Sequence, residues 1–254
     1  MKEIVKFIKE GLKITSKTKV DKYNYHPKTK KELKDLLKQL IEERGDEGDF
    51  NDIDVSKITD MSDLFDSIDK FNGDISKWDV SNVTSMEYMF YNCELFNGNI
   101  SNWDVSNVIN MKYTFDNCTS FNQPLNNWDV SHVTKMSYMF YGCKSFNQDI
   151  SKWDVSKVTD MPSMFNSCES FNQDISNWNV SNVIDMFAMF YKCKSFNCDI
   201  SKWDVSNVTD MNDMFYGCES FNQDISNWNV SNVKNNRKIF YNCPIEEKYK
   251  PKFK

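Results

Sequence analysis

The chain has 254 residues, of which 40% are apolar and 15% aromatic, enough for a continuous core. Its net charge of −6 is uneven, because residues 1–50 carry 13 basic and 10 acidic side chains whereas the remaining residues carry 18 and 27. An acidic body binds phosphate groups poorly, which excludes nucleic acid as an expected partner. No stretch approaches the roughly 20 apolar residues that a membrane span needs.

The first residues, MKEIVKFIKEGLKITSK, contain neither an apolar run of signal-peptide length nor a cleavage site of small residues, and no lipidated cysteine is visible. Taken by itself, the sequence therefore predicts a cytoplasmic protein. Ile4, Ile8 and Leu12 form a helical stripe among lysines. We expect this stripe to dock on the cap that follows it, with contact to an anionic membrane surface as the alternative.

Residues 29–45 carry a clear helix signal. Thr29 and Glu32 form a capping box, an apolar stripe runs through Lys30–Arg44, and Gly45 is placed to end the helix. We interpret residues 1–45 as an N-terminal helical segment and cap, which covers the first repeat of the region that follows.

The rest of the chain repeats with a constant 25-residue period, without insertion or deletion. We assign residues 46–70 to a divergent first repeat, 71–245 to seven full repeats and 246–254 to a charged, loose tail. All seven tryptophans fall in one register: Trp78, Trp103, Trp128, Trp153, Trp178, Trp203 and Trp228. A fixed period of this length indicates a solenoid, in which each unit buries its apolar face by stacking on its neighbours.

One repeat, residues 71–95, shows two patterns. Trp78 and Val80 alternate with polar neighbours, which is typical of a short strand. Thr84 is a predicted helix N-cap, and Asn92, whose position holds glycine in two other repeats, suits a left-handed helix exit. Between them, four residues have the i, i+3, i+4, i+7 spacing of a short helix: Met86, Met89, Phe90 and Cys93. The predicted fold class is an α/β solenoid, a stack of 25-residue strand-turn-short helix units with an N-terminal helical cap.

Polar residues and cysteines also recur in register. The asparagines that begin with Asn72 predict a hydrogen-bonded ladder between repeats. Asp79 and its equivalents, which are Asp or Asn, predict turn capping, with calcium binding by stacked carboxylates as the alternative. Seven cysteines, from Cys93 to Cys243, are expected to be buried free thiols, and Cys198 to be exposed and reactive. We predict no zinc site and no cofactor.

The pattern FNxDISxWDVSxVTxMxxMFxxC, clearest in residues 146–168 and 221–233, and the preceding segment YHPKTKKELKDLL resemble the BspA-like leucine-rich-repeat surface proteins of bacteria. The resemblance covers residues 23–245. It implies a leucine-rich-repeat-like solenoid and a protein exposed on the cell surface, often lipid-anchored, with a role in adhesion or host-protein binding. It offers no catalytic residues.

Enzyme chemistry has little support in this sequence, because its two histidines, His26 and His132, have no distinctive nucleophile near them in sequence. We therefore expect a non-enzymatic scaffold that binds a protein partner. Aromatic residues on the outer face of the predicted helices are the candidate contacts: Tyr88, Tyr91, Tyr113, Tyr138, Tyr141 and Phe187. One alternative is that these rings only cover grooves between helices. Another is a calcium- or carbohydrate-binding solenoid that uses the Asp and Asn positions.

Overall fold

The computed structural model describes residues 22–253. The stripe predicted from Ile4, Ile8 and Leu12 lies outside this described part of the chain. Among residues 22–253, no helix has the length and apolar character to cross a membrane.

The one α-helix of residues 22–253, α1, spans Lys30–Arg44, as the sequence predicts. Thr29 caps its first turn, since the Thr29 hydroxyl oxygen accepts a hydrogen bond from the Glu32 N–H at 3.2 Å. Gly45 ends the helix with φ +80° and donates its N–H to the Ile41 carbonyl at 2.9 Å. Three leucines of α1 are buried in the protein core: Leu33, Leu37 and Leu40.

After α1 the chain winds into a stack of coils, and each coil corresponds to one sequence repeat. The predicted unit of strand, turn and short helix is wrong. Between Gly45 and Glu246 the structure has neither a β-strand nor an α-helix, and it forms no sheet. The parallel contacts between coils are single-residue bridges between equivalent positions. The main series joins Asp60, Ser85, Asn110, Lys135, Asp160, Asp185, Asp210 and Asn235. The fold is therefore a stack of turns rather than an α/β solenoid.

The backbone hydrogen bonds explain why the predicted helix is absent. Four N–H groups of one coil donate to four carbonyls of the next at 2.8–3.0 Å, in the pairs Met86–Asn110, Tyr88–Lys112, Phe90–Thr114 and Asn92–Asp116. The amides between them, such as those of Met89 and Tyr91, donate to the carbonyl three residues back, at 3.1 and 3.2 Å. An α-helix needs every amide to bond four residues back. Here alternate amides are committed to the neighbouring coil, so the segment forms tight turns.

The predicted strand is absent for a similar reason. The Trp78 N–H donates to the Ile75 carbonyl at 3.1 Å, and the Val83 N–H donates to the Val80 carbonyl at 2.9 Å. Both bonds close turns inside one coil, so these backbone groups form no ladder with a neighbouring strand. The alternating apolar pattern is still used, because Trp78 and Val80 both point into the core.

Equivalent side chains of successive coils form columns through the core. Rings of the column that contains Phe90 lie 5.3–5.8 Å apart between neighbouring coils. Trp78 and Trp103 are parallel within 2°, with ring centroids 6.4 Å apart. Each indole N–H also donates to a main-chain carbonyl of the preceding coil, at 2.9–3.2 Å. The tryptophan column therefore links adjacent coils by both stacking and hydrogen bonding.

Segments outside the repeats contact both ends of the stack. At the N-terminal end, the Lys30 ammonium of α1 lies 3.4 Å from the carboxylates of Asp60 and Asp63 in the first coil. At the other end the tail predicted to be loose folds back instead. Its 3-10 helix, Glu247–Tyr249, brings the Tyr249 carbonyl within 3.0 Å of the Ile225 N–H.

The indole hydrogen bond gives a stability prediction. Trp153 is 3% exposed and donates to the Leu125 carbonyl at 3.0 Å. We expect Trp153→Phe to lower the free energy of unfolding by about 1–3 kcal/mol, because it removes this bond and leaves space in a packed core. Urea unfolding of the two proteins measures the difference. A loss below about 0.5 kcal/mol would show that the indole N–H does not hold neighbouring coils together.

Candidate functional site

Five of the predicted contact residues form one cluster, the tyrosine face: Tyr88, Tyr91, Tyr113, Tyr138 and Tyr141. The rings of Tyr88 and Tyr113 stack at 4.4 Å, and those of Tyr113 and Tyr138 stack at 4.7 Å. Tyr91 and Tyr141 pack against the two ends of this stack at 5.4 and 5.9 Å. All five side chains are half-buried, so one side of each faces solvent. The face spans three coils, whose stacking sets the spacing between the rings.

The sixth predicted residue, Phe187, is half-buried and lies two coils beyond Tyr138, with no ring contact to the tyrosine face within residues 22–253. A second tyrosine ladder lies nearer the C-terminal end. Its rings stack at 4.7 Å between Tyr191 and Tyr216 and at 4.9 Å between Tyr216 and Tyr241. The tyrosines thus form two separate groups, the tyrosine face and the second tyrosine ladder.

The central tyrosines occupy an unusual backbone conformation. Tyr88, Tyr113 and Tyr138 have φ of +56° to +58°, in the left-handed region. A residue with a Cβ costs about 1–2 kcal/mol in this region, and bulky side chains are rare there. At the same position in other coils, Ser163 and Asp213 adopt the same conformation with short polar side chains. Tyrosine at three successive coils is therefore not what the backbone favours.

A buried carboxyl group lies within this surface. Asp116 takes the position that Tyr91 and Tyr141 occupy in the coils on either side of it. Its side chain is 5% exposed, and its Oδ1 atom has no hydrogen-bond partner within the described part of the chain. Burial raises the pKa of Asp116 from 3.8 to about 7. The tyrosine face therefore contains an acid that is largely protonated below neutral pH.

Two hydroxyl groups of the face, those of Tyr88 and Tyr113, have raised pKa values. Burial, together with the neighbouring Tyr88 and Tyr138, raises the pKa of Tyr113 to about 12. Burial likewise raises the pKa of Tyr88. These phenols stay protonated at physiological pH and present hydrogen-bond donors and acceptors beside apolar ring surface. Such a surface suits recognition and gives no group activated for nucleophilic attack.

The asparagine ladder is confirmed. The Asn72 side-chain carbonyl accepts a hydrogen bond from the Asn97 N–H at 2.8 Å, and Asn97 does the same for Asn122 at 2.9 Å. The ladder continues through Asn147, Asn172, Asn197 and Asn222. At its end, Asn222 accepts from the Glu246 N–H of the tail at 2.9 Å. This column holds coils together and gives no free row of ligand contacts.

The aspartate column caps turns, as predicted. Asp104 accepts from the Ser106 N–H at 3.1 Å, and Asn179 takes the same role for Ser181 at 3.2 Å. A second column, missed in the sequence, begins with Asp49, which accepts from the Asn51 N–H at 2.8 Å, and continues with Asp74, which accepts from the Ser76 N–H at 2.9 Å. Among residues 22–253 no group of three or more His, Cys, Asp or Glu side chains is placed to hold a metal ion.

The cysteine column consists of free thiols, and six of its seven members are buried. Burial raises the pKa of Cys93 to about 12, and its thiol donates to the Phe65 carbonyl of the preceding coil at 3.0 Å. Cys198 is half-buried rather than exposed, and burial raises its pKa as well. Since the thiolate is the reactive form, Cys198 is a weaker nucleophile than the sequence suggests.

The two histidines lie apart from the tyrosine face. His26 Nδ1 lies 3.3 Å from the Asp54 carboxylate near the N-terminal end of the stack, and His132 is exposed.

Comparison with known families gives one match. The model of DUF285, described as a Mycoplasma protein of unknown function, matches residues 34–151 and again residues 135–250. Together the two overlapping matches cover most of the chain and agree with its tandem repeats. No curated protein and no solved structure matches the chain.

The buried carboxyl of Asp116 predicts a pH dependence of stability. Its folded-state pKa is raised to about 7 from 3.8. Between these values the folded protein holds a proton that the unfolded chain has lost, so the carboxyl destabilises the fold increasingly as pH rises and then constantly above about pH 7. We expect Asp116→Asn to stabilise the protein little near pH 4 and by about 1–3 kcal/mol near pH 8, measured by urea unfolding.

The matched control is Asp104→Asn, an exposed turn cap whose position holds Asn179 and Asn229 in other coils. This variant should show no comparable gain at high pH. Equal pH trends for the two variants would contradict the assignment of the effect to burial of Asp116.

Proposed function

This chain belongs to the DUF285 family, and we propose that it is a non-enzymatic scaffold whose tyrosine face binds a protein partner. The observation that carries the proposal is the placement of Tyr88, Tyr113 and Tyr138 in left-handed backbone positions. Strained residues of this kind persist where the surrounding structure enforces them, and they concentrate at functional sites. The turns themselves do not require tyrosine, because the same left-handed position holds other residue types in the remaining coils: Asp63, Ser163, Ala188, Asp213 and Lys238.

The physical character of the tyrosine face supports protein recognition. Tyrosine offers a large apolar surface and a polar hydroxyl, and it loses little conformational entropy when bound. The mutual stacking of Tyr88, Tyr113 and Tyr138 fixes their side chains before any partner arrives. A preorganised surface lowers the entropic cost of association, so several modest contacts suffice for binding.

We extend this proposal to adhesion or host-protein binding at the cell surface. Its support is the resemblance of the FNxDISxWDVS repeats to BspA-like leucine-rich-repeat surface proteins. Protease added to intact cells of the native organism tests the location. Degradation of the protein would support the extension, whereas protection until the cells are lysed would contradict it and leave an internal scaffold.

A triple substitution tests the tyrosine face directly. We expect Tyr88→Ser, Tyr113→Ser and Tyr138→Ser together to abolish partner binding without unfolding the stack. Serine fits because Ser163 already occupies the equivalent position at φ +53°. The measurement is affinity capture on the immobilised native and variant proteins, with quantitative mass spectrometry of what is retained. Unfolding curves of both proteins check the fold.

The second tyrosine ladder supplies a matched control. Replacing Tyr191, Tyr216 and Tyr241 by serine removes the same number of rings from the same stack. Proteins retained by the native chain and by this control, but lost from the first triple variant, are the expected result. Equal retention by both triple variants would refute the tyrosine face as the binding site.

A calcium- or carbohydrate-binding function is the alternative, with weaker support. The stacked Asp and Asn oxygens that would serve it already accept turn hydrogen bonds, as Asp104 does from the Ser106 N–H. We expect the melting temperature to be the same with calcium and with a chelator. A rise of several degrees with calcium would favour the alternative.

A further inference from the structure

The hydrogen bonds between coils have a direction. In the turn segment of every coil except the last, alternate N–H groups donate to carbonyls of the coil that follows it in sequence. In the next-to-last coil, Met211, Asp213, Phe215 and Gly217 donate at 2.8–2.9 Å to Asn235, Arg237, Ile239 and Tyr241. The last coil is therefore bonded through its carbonyls, and its own alternate N–H groups point away from the stack.

These outward N–H groups form the open edge, which we define as the backbone of residues 236–242. Within residues 22–253, five of its N–H groups have no acceptor. Four are the alternate groups that face outward, those of Asn236, Lys238, Phe240 and Asn242, and the fifth belongs to the buried Ile239. Asn236, Lys238 and Asn242 are exposed, and Phe240 is half-buried. An unpaired row of main-chain donors is a template for pairing with another chain.

The folded tail leaves this edge uncovered. It lies along the other side of the last coil, where the Tyr249 carbonyl accepts from Ile225 and the Asn222 side chain accepts from Glu246. Pro251 of the tail is buried, and so is Ile245 immediately before the tail. The only ring of the open edge near the tail is that of Phe240, with the Lys250 ammonium 5.8 Å from its centroid. The tail thus covers apolar side chains and not the amides.

The charge around the open edge differs from that of the body. Lys234, Arg237 and Lys238 are exposed beside the four amides. Residues 234–254 carry seven Lys or Arg and two Glu, whereas residues 51–233 carry 11 basic and 25 acidic side chains. Donor-only backbone and basic side chains both favour an occupant that supplies acceptors and negative charge.

We propose that the open edge binds an extended, acidic segment of a protein partner, which adds to the stack as a further rung. Main-chain carbonyls at alternate residues of that segment accept from the four amides, as the carbonyls of each internal coil do. Its carboxylates pair with Lys234, Arg237 and Lys238. A helical segment does not fit, because its carbonyls are already bonded within the helix.

The same features argue against a second copy of this chain as the occupant. Two open edges would bring donors against donors and basic side chains against basic side chains, and neither pairing is favourable. The proposal does not depend on the tyrosine face, because it rests on residues at the C-terminal end of the stack.

The chain provides its own probe peptide. Residues 209–217, TDMNDMFYG, lie on the equivalent edge one coil earlier, where their alternate carbonyls accept from Met186, Ala188, Phe190 and Lys192 at 2.7–3.0 Å. The segment also carries Asp210 and Asp213. We expect this peptide, acetylated and amidated, to give saturable NMR shifts at the four amides of the open edge in the full chain, and to slow their hydrogen exchange. A peptide with both aspartates changed to lysine should bind at least about tenfold more weakly.

Variants of the protein separate charge from backbone pairing. Lys234→Glu with Arg237→Glu should weaken binding of the acidic peptide by about tenfold or more. Lys135→Glu with Lys144→Glu makes the same change of charge in the middle of the stack and should leave binding unchanged. Unchanged binding by the first double variant, or equal loss in both, would overturn the proposal.

Three further results would also overturn it. One is the absence of saturable shifts at millimolar peptide. Another is shifts confined to residues outside the open edge. The third is protection of these amides that increases with protein concentration in the absence of peptide, which would identify a second copy as the occupant.

Discussion

The structure depends on one backbone constraint: alternate amides of each coil are committed to the carbonyls of the next. Because the Met86, Tyr88 and Phe90 amides bond to a neighbouring coil, the segment cannot close into a helix. The constraint also requires every coil to have the same length, which explains a constant repeat length without insertion or deletion. Equivalent side chains then lie in columns. Aromatic rings stack on one another, each asparagine accepts from the N–H of the next, and each buried thiol donates to a phenylalanine carbonyl of the preceding coil.

The period of the sequence was sufficient to place the core but not to define the backbone. The tryptophan register and the capping box of Thr29 and Glu32 correctly identified the buried columns and α1. The strand and the short helix were wrong because tight turns bring Met86 and Phe90 to the same side as a helix would. The left-handed conformation of Asn92 was predictable, because glycine holds its position in two other repeats. The left-handed conformation of Tyr88 was not predictable from tyrosine. The predicted strand and helix differ from the observed turns in their backbone hydrogen bonds, which the side-chain pattern does not reveal.

The candidate surfaces differ in how far sequence reasoning reached them. The tyrosine face was predictable because Tyr88, Tyr113 and Tyr138 recur with the repeat. Asp116 was missed in the sequence, because its burial follows from the neighbouring rings and coils and not from its own residue type. No sequence pattern indicated the open edge, because it depends on which coil donates its backbone N–H groups and which coil accepts them through its carbonyls. One stack thus presents an aromatic side surface and a basic end, two surfaces with different chemistry.

The central claim is that exact register between coils holds this fold together. Deletion of residues 146–170 removes one whole coil and joins equivalent positions, whereas deletion of residues 146–169 shifts every later coil by one residue. The most direct measurement compares the urea unfolding of these two proteins. The account predicts that the protein without residues 146–170 unfolds cooperatively and is slightly less stable than the native protein. The protein without residues 146–169 should fail to fold its C-terminal coils. Equal stability of the two proteins would contradict it.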